Sequence, residues 1–233
     1  ASFSFQASKT LTCGDGGILI CSDDTLALAA RKAATLGFKD LSVKPGSTVV
    51  SEQLRCQPDY QRHDCLGWNQ RLPEIACAVA LAELERIEEL AAMRTYCAQA
   101  WQRVVSDCSW LVPQKTPDGY LNAYWTYTVR ILRDDIVWAD LLSTFIELGG
   151  DGFYGSYQPA HLEPVFASLN AAVDRTPERY PHFAGRLPRY ERGLCPVWES
   201  IQPRIVMLKT NYFDTDDVDR QADLFAQTLQ RFS

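Results

Sequence analysis

The sequence has little of what marks a membrane, secreted or nucleic-acid-binding protein. No apolar run approaches the roughly 20 residues that a membrane helix needs, and no basic stretch with an apolar core opens the chain. We therefore expect a cytosolic protein without a membrane partner. The 23 Lys and Arg residues are scattered and the formal net charge is −6, so the sequence predicts no nucleic-acid partner either.

A disulfide framework and a metal site are also not indicated. The eight cysteines are spread without a dense pattern, which favours reduced, structural thiols. Cys56, His63, Asp64 and Cys65 are residue types that bind zinc. Because they contain no Cys-x-x-Cys pair and no second pair completes a tetrahedral set, we predict no metal site.

At 233 residues and 46% hydrophobic content, the chain is long enough for one large or two small folded domains. Apolar runs bounded by turn residues predict short buried strands over 2–6 and 17–21. Asp23 or Asp24 can cap a helix that runs to Leu36 and stops at Gly37. The polar interval 38–67, which includes Pro45-Gly46, is predicted to be an inserted surface loop.

The remainder of the sequence predicts an α+β arrangement. A helical pattern begins at Pro73 and continues to about Val105, either as one long helix or as two joined by a bend. Four further elements are predicted: a strand over 123–132, a helix over 135–148 stopped by Gly149-Gly150, a helix over 163–172, and a closing helix over 215–232 with Asp216 or Asp217 in its first turn.

Three blocks of residues carry a functional signal. The first is Ser4-Phe5-Gln6, then Lys9, then the turn Gly14-Asp15-Gly16-Gly17 and the apolar run Ile18-Leu19-Ile20. The second is Gly67-Trp68-Asn69-Gln70-Arg71-Leu72-Pro73-Glu74, leading into an apolar helix, and the third is Pro159-Ala160-His161-Leu162-Glu163-Pro164. The glycine turn is not a dinucleotide fingerprint, because its spacing differs and it precedes a strand.

These blocks, in this order, resemble the DegT/DnrJ/EryC1/StrS aminotransferases, which use pyridoxal 5'-phosphate to install amino groups on sugars and cyclitols. The first block is similar to the family's Ser-Phe-(His or Gln)-x-x-Lys with a Gly-Glu-Gly-Gly-like turn, and the second to its G-Y-N-Y-R-M-x-E segment. Asp15 stands where the family usually has Glu, and Gln70 where an aromatic is common. The third block is similar to the family's P-L-H-x-x-P.

The resemblance implies that Lys9 holds the cofactor covalently and acts as general acid and base. Spacing alone favours the alternative, a solvated lysine after a strand. Ser4 matches a contact to the cofactor phosphate, and its alternative is a hydroxyl satisfied by the backbone. Gln6 stands at a cofactor-binding position where many members have His. Gln there is favoured in members that act on cyclitol ketones or form aminoaromatic starters.

Three further residues are assigned by the same resemblance. Asn69 matches an asparagine that reaches the cofactor phosphate of the neighbouring subunit, which implies a homodimer with a shared active site. Alone, an Asn there is a cap or turn residue. Arg71 could bind the donor carboxylate or a nucleotide-sugar phosphate, or form a surface ion pair. His161 is either a substrate-binding residue or a satisfied histidine near a domain interface.

The resemblance implies an α/β fold: the C-terminal part of a fold-type I transferase, with part of the large cofactor-binding domain over 1–88 and a small α+β domain over 89–233. Full members carry the acid for the pyridine nitrogen, a stacking aromatic and a phosphate-binding glycine turn ahead of the lysine, so we expect this sequence to be the C-terminal half. The expected reaction transfers an amino group from glutamate or glutamine to a keto sugar or keto cyclitol. The alternatives are a non-catalytic partner module, and a sugar dehydratase, in which His tends to replace the lysine.

Overall fold

The computed structural model describes residues 1–44 and 49–233. The predicted loop residues Pro45-Gly46 lie outside this range. The chain divides into two compact units, residues 1–90 and 91–233. The assignment of residues 1–88 to a cofactor-binding domain, and of 89–233 to a small domain, remains a prediction.

The first unit begins with an antiparallel pair of strands. Strand β1 (Ser2–Ser4) pairs with β2 (Gly17–Leu19), so that Ser2 faces Leu19. Both strands are shorter than predicted, and the prediction that they are buried is wrong. The side chains of Phe3 and Leu19 are 52% and 56% exposed. A short apolar run indicates a strand but does not show whether another element covers it. Among the described residues, no element of this unit buries these two strands.

Helix α1 (Asp24–Ala34) begins as predicted. The carboxylate of Asp23 accepts the backbone N–H of Leu26 at 2.8 Å and caps the first turn. The helix ends two residues before the predicted Leu36. Gly37 has a left-handed backbone with φ of +73°, as expected of a residue that terminates a helix, but the left-handed turn already begins at Leu36, with φ of +58°.

In the described residues of the interval after α1, which exclude 45–48, the chain is mostly irregular, as predicted, and contains the short helix α2 (Glu52–Arg55). The long helical pattern proves to be two helices, α3 (Glu74–Glu85) and α4 (Ile87–Ser106), separated at Arg86. The sequence left that choice open. Every residue of α3 is at least partly exposed, although its composition is apolar on all sides. The boundary between the two units falls within α4.

The second unit contains a four-stranded antiparallel sheet with the order β3-β4-β6-β5. The strands are β3 (Leu111–Pro113), β4 (Thr126–Ile131), β5 (Tyr154–Gly155) and β6 (Ile205–Lys209). Only β4 was predicted, and it begins three residues late because Tyr124 has φ of +48°. Strands of two to five residues are too short to show a period of two.

Four helices complete the second unit: α5 (Trp138–Glu147), α6 (Pro164–Arg175), α7 (Pro196–Ile201) and α8 (Thr215–Gln230). Short 3-10 turns occupy Ala160–Leu162, Pro177–Arg179 and Gln202–Arg204. The predicted helices over 135–148, 163–172 and 215–232 are therefore confirmed within a few residues. Within the described parts of the chain, no helix combines the length and the apolar character needed to cross a bilayer.

Aromatic side chains from three helices form the centre of this unit. The rings of Phe145 and Phe225 meet edge to face at 5.5 Å, and those of Trp101 and Phe225 at 5.9 Å. All three side chains are at most 1% exposed. The indole N–H of Trp101 donates to the carbonyl of Lys209 at 2.7 Å, which joins α4 to β6 and satisfies a buried donor.

Candidate active site

Lys9 lies in the connection between β1 and β2. Its backbone N–H donates to the carbonyl of Gln6 at 2.9 Å, which forms a tight turn after the strand, and its side chain is partly buried. Phe5 closes the connection: its N–H donates to Gly16 and its carbonyl accepts from Cys13. A lysine whose backbone is hydrogen-bonded in a turn is held more firmly than one on an open loop, which suits a covalent anchor.

Ser4 and Gln6 are hydrogen-bonded to the same turn. The hydroxyl oxygen of Ser4 accepts the N–H of Gln6 at 3.3 Å. The side-chain oxygen of Gln6 accepts both the N–H and the hydroxyl of Ser8, at 2.9 and 2.6 Å. Because acceptors are used inside the turn, the hydroxyl hydrogen of Ser4 and the NH₂ group of Gln6 are the parts that can donate to a ligand.

The glycine cluster closes the hairpin because side chains would not fit there. A Cβ atom at Gly17 would lie 2.7 Å from the carbonyl oxygen of Phe3, and one at Gly16 would lie 2.9 Å from a methyl group of Leu72. Gly14 has φ of +91° and open space beside it. The glycines therefore serve the turn and its contact with Leu72.

Asn69 and Arg71 lie on an extended segment attached to the C-terminal end of α1. The N–H of Trp68 donates to Ala33 at 2.7 Å and that of Gln70 to Ala34 at 2.9 Å. These bonds fix the register of the segment. Asn69 and Arg71 are both exposed.

The side chains of Asn69 and Arg71 are joined. The Nε–H of Arg71 donates to Oδ1 of Asn69 at 2.9 Å. Alternate residues of an extended chain point to the same side, which brings them together. Since the amide oxygen is occupied, the pair presents the NH₂ group of Asn69 and the two Nη groups of Arg71, all of which are donors.

Leu72 connects this segment to the lysine hairpin. Its side chain lies against Gly16, next to the thiol of Cys13, and both would be within 3 Å of a Cβ atom at position 16. Five of the six predicted site residues thus lie on two segments of the first unit that contact each other: Ser4, Gln6, Lys9, Asn69 and Arg71. No sequence pattern indicates that Leu72 makes this contact, since an apolar residue before a proline is common.

The donor set of these five residues fits pyridoxal phosphate. The cofactor presents an aldehyde, which requires an amine, and a phosphate, which requires N–H and O–H donors. The amine of Lys9, the hydroxyl of Ser4 and the amide NH₂ groups of Gln6 and Asn69 are of those types. Residues in this chain would therefore hold the aldehyde end and contribute to the phosphate end.

His161 is placed differently. It lies in the second unit, is only 9% exposed, and its Nε2 is 2.7 Å from the carboxylate of Glu199. That carboxylate also accepts the N–H groups of Gly193 and Cys195 at 2.8 to 3.1 Å. The N–H of Gly193, then that of Cys195 and His161, lower the pKa of Glu199 below its ordinary value. Of the two predicted possibilities, this geometry is that of a satisfied histidine.

Glu199 was missed by the sequence analysis. The available signal was its position in the first turn of α7, where an acidic side chain often accepts the N–H of the residue that precedes the helix. Its contact with His161 crosses 38 residues and has no local signature.

The second unit also has a surface groove of about 670 Å³, which contains none of the predicted site residues. Trp110, Cys108 and the ion pair of Arg103 with Asp219 line it. Burial raises the pKa of the Cys108 thiol, which disfavours the reactive thiolate. Cys108 is therefore disfavoured as a nucleophile in this groove.

The predicted zinc-type residues Cys56, His63, Asp64 and Cys65 do not gather into a ligand set. Within 1–44 and 49–233, no group of three or more His, Cys, Asp or Glu side chains is arranged to hold a metal ion. Asp64 instead binds Lys32 at 2.5 Å, and this hydrogen bond lowers the pKa of the Asp64 carboxyl. His63 donates toward the backbone of Leu36.

Comparison with known proteins supports the motif-based resemblance. Residues 1–190 match the model of the DegT/DnrJ/EryC1/StrS aminotransferase family. The chain is 24% identical over 196 residues to the GDP-perosamine synthase of Vibrio cholerae, covering 84% of this chain and 48% of that protein. It is 24% identical over 239 residues to the L-glutamine:2-deoxy-scyllo-inosose aminotransferase of Streptomyces kanamyceticus, covering 98% and 52%. The chain spans about half the length of these relatives.

The fold is shared with solved aminotransferases. The crystal structure of the aminotransferase TlmJ from Streptoalloteichus hindustanus superposes with a TM-score of 0.71 at 21% identity, covering all of this chain and 52% of that one. The predicted fold class, a C-terminal part of an α/β transferase, is thereby confirmed. Aminotransferases of the matching family depend on pyridoxal phosphate. The family match covers well over half of the residues, and the chain belongs to the DegT/DnrJ/EryC1/StrS aminotransferase family.

Proposed function

We propose that the protein containing this chain is a pyridoxal-phosphate-dependent aminotransferase that moves an amino group from glutamate or glutamine to a keto sugar or a keto cyclitol. The observation that carries the proposal is the contact between the Lys9 hairpin and the Asn69–Arg71 segment through Leu72 and Gly16. An amine and a set of anion-binding donors are thereby brought to one region of one unit.

Lys9 has two tasks in this proposal. Its Nζ would hold the cofactor between turnovers, and once freed it would carry the proton between the substrate carbon and the cofactor carbon. When bound, pyridoxal phosphate supplies the electron sink that makes this carbon acidic. The turn formed by Gln6 and Lys9 limits the positions that Nζ can reach, which favours proton transfer at one atom.

Ser4 and Gln6 bind the cofactor that Lys9 of the same subunit holds, with Ser4 at its phosphate, and Asn69 reaches the phosphate of the cofactor in the neighbouring subunit. Each offers an uncharged hydroxyl or amide donor, and none of the three brings a negative charge close to a phosphate. Arg71 adds a permanent positive charge, since a guanidinium remains protonated at any physiological pH. Its remaining Nη groups suit a carboxylate of the donor or a phosphate of a nucleotide-linked substrate equally well.

The active site is shared between two subunits of a homodimer. Asn69 and Arg71 lie among exposed apolar side chains: Leu66 is 91%, Trp68 67% and Ile75 83% exposed. A surface that is apolar around a polar pair is typical of a protein interface and not of a surface that stays in water. We propose that a second copy covers this surface, and that the cofactor phosphate of that copy meets Asn69.

The protein is proposed to act in the cytosol, where thiols stay reduced. Four of its cysteines, Cys56, Cys65, Cys77 and Cys195, are exposed. A compartment that promotes oxidation would put those thiols at risk of random cross-linking.

The test uses the full-length protein loaded with pyridoxal phosphate. A nucleotide-linked keto sugar and a keto cyclitol are each incubated with glutamate or glutamine, and the aminated product is measured by mass spectrometry. We expect one combination to give product with the wild type and none to do so with Lys9→Ala. Loss of water from the sugar without amination would indicate the dehydratase instead, and a protein that binds no cofactor would indicate the non-catalytic module.

A further inference from the structure

His63, which the zinc-type pattern singled out, makes a contact unrelated to metal. Its Nδ1 lies 2.7 Å from the carbonyl oxygen of Leu36, so the ring N–H donates and the carbonyl accepts. Its ring lies 5.0 Å from that of Phe38, tilted by 33°. The two residues form an isolated antiparallel bridge, so backbone and side chain both fix His63 beside the end of α1.

The carbonyl that His63 binds belongs to a residue in an unfavourable conformation. Leu36 has φ of +58°, a left-handed conformation that is unfavourable for a residue with a side chain. Conformations of this kind persist only where surrounding contacts stabilise them. The N–H of Leu36 donates to the carbonyl of Trp68 at 2.9 Å, so this residue is held at both its N–H and its carbonyl.

The left-handed turn at Leu36 fixes the segment that carries Asn69. Trp68 is bound to Leu36 and to Ala33, and Asn69 forms an isolated bridge with Thr35. Two glycines allow this close packing. A Cβ atom at Gly37 would lie 1.9 Å from the carbonyl oxygen of Cys65, and one at Gly67 would lie 2.4 Å from the backbone nitrogen of Gly37.

We propose that His63 is a positioning residue for Asn69: by donating to the Leu36 carbonyl it stabilises the left-handed turn against which the Asn69 segment is aligned. Its effect on cofactor binding rests on the proposed function of Asn69. Its effect on the alignment of the Asn69 segment does not depend on that function. Without the donor, Leu36 can leave the left-handed region, and its bond to Trp68 is then lost.

The experiment compares His63→Phe with His63→Asn in the full-length protein. Phenylalanine retains an aromatic ring next to Phe38 but removes the donor, whereas asparagine retains an N–H donor near the position of Nδ1. His182→Phe, at an exposed histidine of the second unit, serves as the matched control. Two quantities are measured: amide hydrogen exchange of residues 66–71, and the dissociation constant for pyridoxal phosphate.

We expect exchange over 66–71 to rise about fivefold or more in His63→Phe, the scale of one lost hydrogen bond, and to stay near wild type in His63→Asn and His182→Phe. The dissociation constant should rise in His63→Phe alone. Unchanged exchange in His63→Phe, or equal exchange in the Phe and Asn variants, overturns the inference. Faster exchange with an unchanged dissociation constant supports the positioning role and contradicts the phosphate contact proposed for Asn69.

Discussion

The Nε–H of Arg71 donates to Oδ1 of Asn69 at 2.9 Å, and this bond fixes which end of the amide faces outward. An amide without this bond would have no fixed orientation before an anion arrives. With its oxygen occupied, Asn69 presents only donors. In the proposed site, the arginine therefore has two ways of favouring an anion: its own charge, and the orientation that it gives to Asn69.

Arg71→Lys separates these two contributions, because lysine keeps the charge and loses the planar Nε donor. We expect it to weaken pyridoxal-phosphate binding by about 1 kcal/mol, the usual value of one hydrogen bond. In the Asn69→Ala background the same change should have little effect. Titration of the cofactor into the two single variants and the double variant gives the coupling energy, and Arg192→Lys at an exposed site controls for the substitution. Additive losses would mean that the bond does not orient Asn69.

Gly37→Ala is expected to destabilise the first unit strongly. The new Cβ atom would lie 1.9 Å from a backbone carbonyl oxygen, and the backbone has φ of +73°. Gly14→Ala is the matched control: φ is +91° there, but no atom lies within 4 Å of the new Cβ. We expect a loss of about 3 kcal/mol or more for Gly37→Ala and about 1 kcal/mol for Gly14→Ala, measured by denaturant unfolding. Equal losses would show that the carbonyl of Cys65 moves away at little cost.

Thr210→Val tests the turn that precedes β4. The hydroxyl of Thr210, a residue only 1% exposed, lies 2.6 and 2.9 Å from the carbonyls of Tyr124 and Trp125, and it accepts from Arg94 at 3.1 Å. Valine has a similar volume but cannot make these bonds. We expect a loss of about 1 to 3 kcal/mol in the free energy of unfolding, because buried polar groups lose their partner.

A double variant, Arg94→Met with Thr210→Val, completes that test. If Arg94, Thr210 and the two carbonyls act as one network, the double variant loses less free energy of unfolding than the two single variants lose together. A loss below about 0.5 kcal/mol for Thr210→Val alone would contradict a stabilising role of the hydroxyl.

Glu199→Gln is expected to change the dependence of stability on pH. Hydrogen bonds from Gly193 and Cys195, together with His161, hold the pKa of Glu199 below its ordinary value of 4.5. A depressed carboxyl pKa stabilises the folded state above the unfolded pKa, and that stabilisation disappears as the pH falls through the folded pKa. The wild type should therefore lose its greater stability relative to Glu199→Gln as the pH is lowered below about 4.5.

Melting temperatures of the wild type and Glu199→Gln between pH 7 and 3 provide the measurement. Glu191→Gln, at an exposed glutamate in the same region, should follow the wild type throughout. Parallel profiles for the wild type and Glu199→Gln would show that the buried carboxylate adds no pH-dependent stability.

The parts of the fold that could be predicted are those with a local cause. Asp23 caps α1 through its own side chain, and Gly37 adopts a left-handed backbone after the helix because it has no side chain, so both could be predicted from the sequence. The short strands β3 and β5 were missed because their pairing partners, not their own residues, define them. The exposure of β1 and β2 was mispredicted for a related reason, since burial depends on what covers a strand.

The contacts in the candidate site also divide into those with a local cause and those that depend on tertiary packing. The spacing of Asn69 and Arg71 suffices to place them on one side of an extended segment, and their hydrogen bond could have been anticipated. The contact of Leu72 with Gly16 crosses 56 positions and that of His161 with Glu199 crosses 38, and neither leaves a periodic pattern. Motifs identified the residues, whereas tertiary packing determined which of them meet.

The most direct measurement identifies the residue that holds the cofactor. The full-length protein is loaded with pyridoxal phosphate, reduced with borohydride and digested, and the modified peptide is sequenced by mass spectrometry, with Lys9→Arg and Lys39→Arg as paired variants. We predict that the label lies on Lys9, persists in Lys39→Arg and is absent in Lys9→Arg. A label on any other lysine, or none on the loaded wild type, would contradict the account.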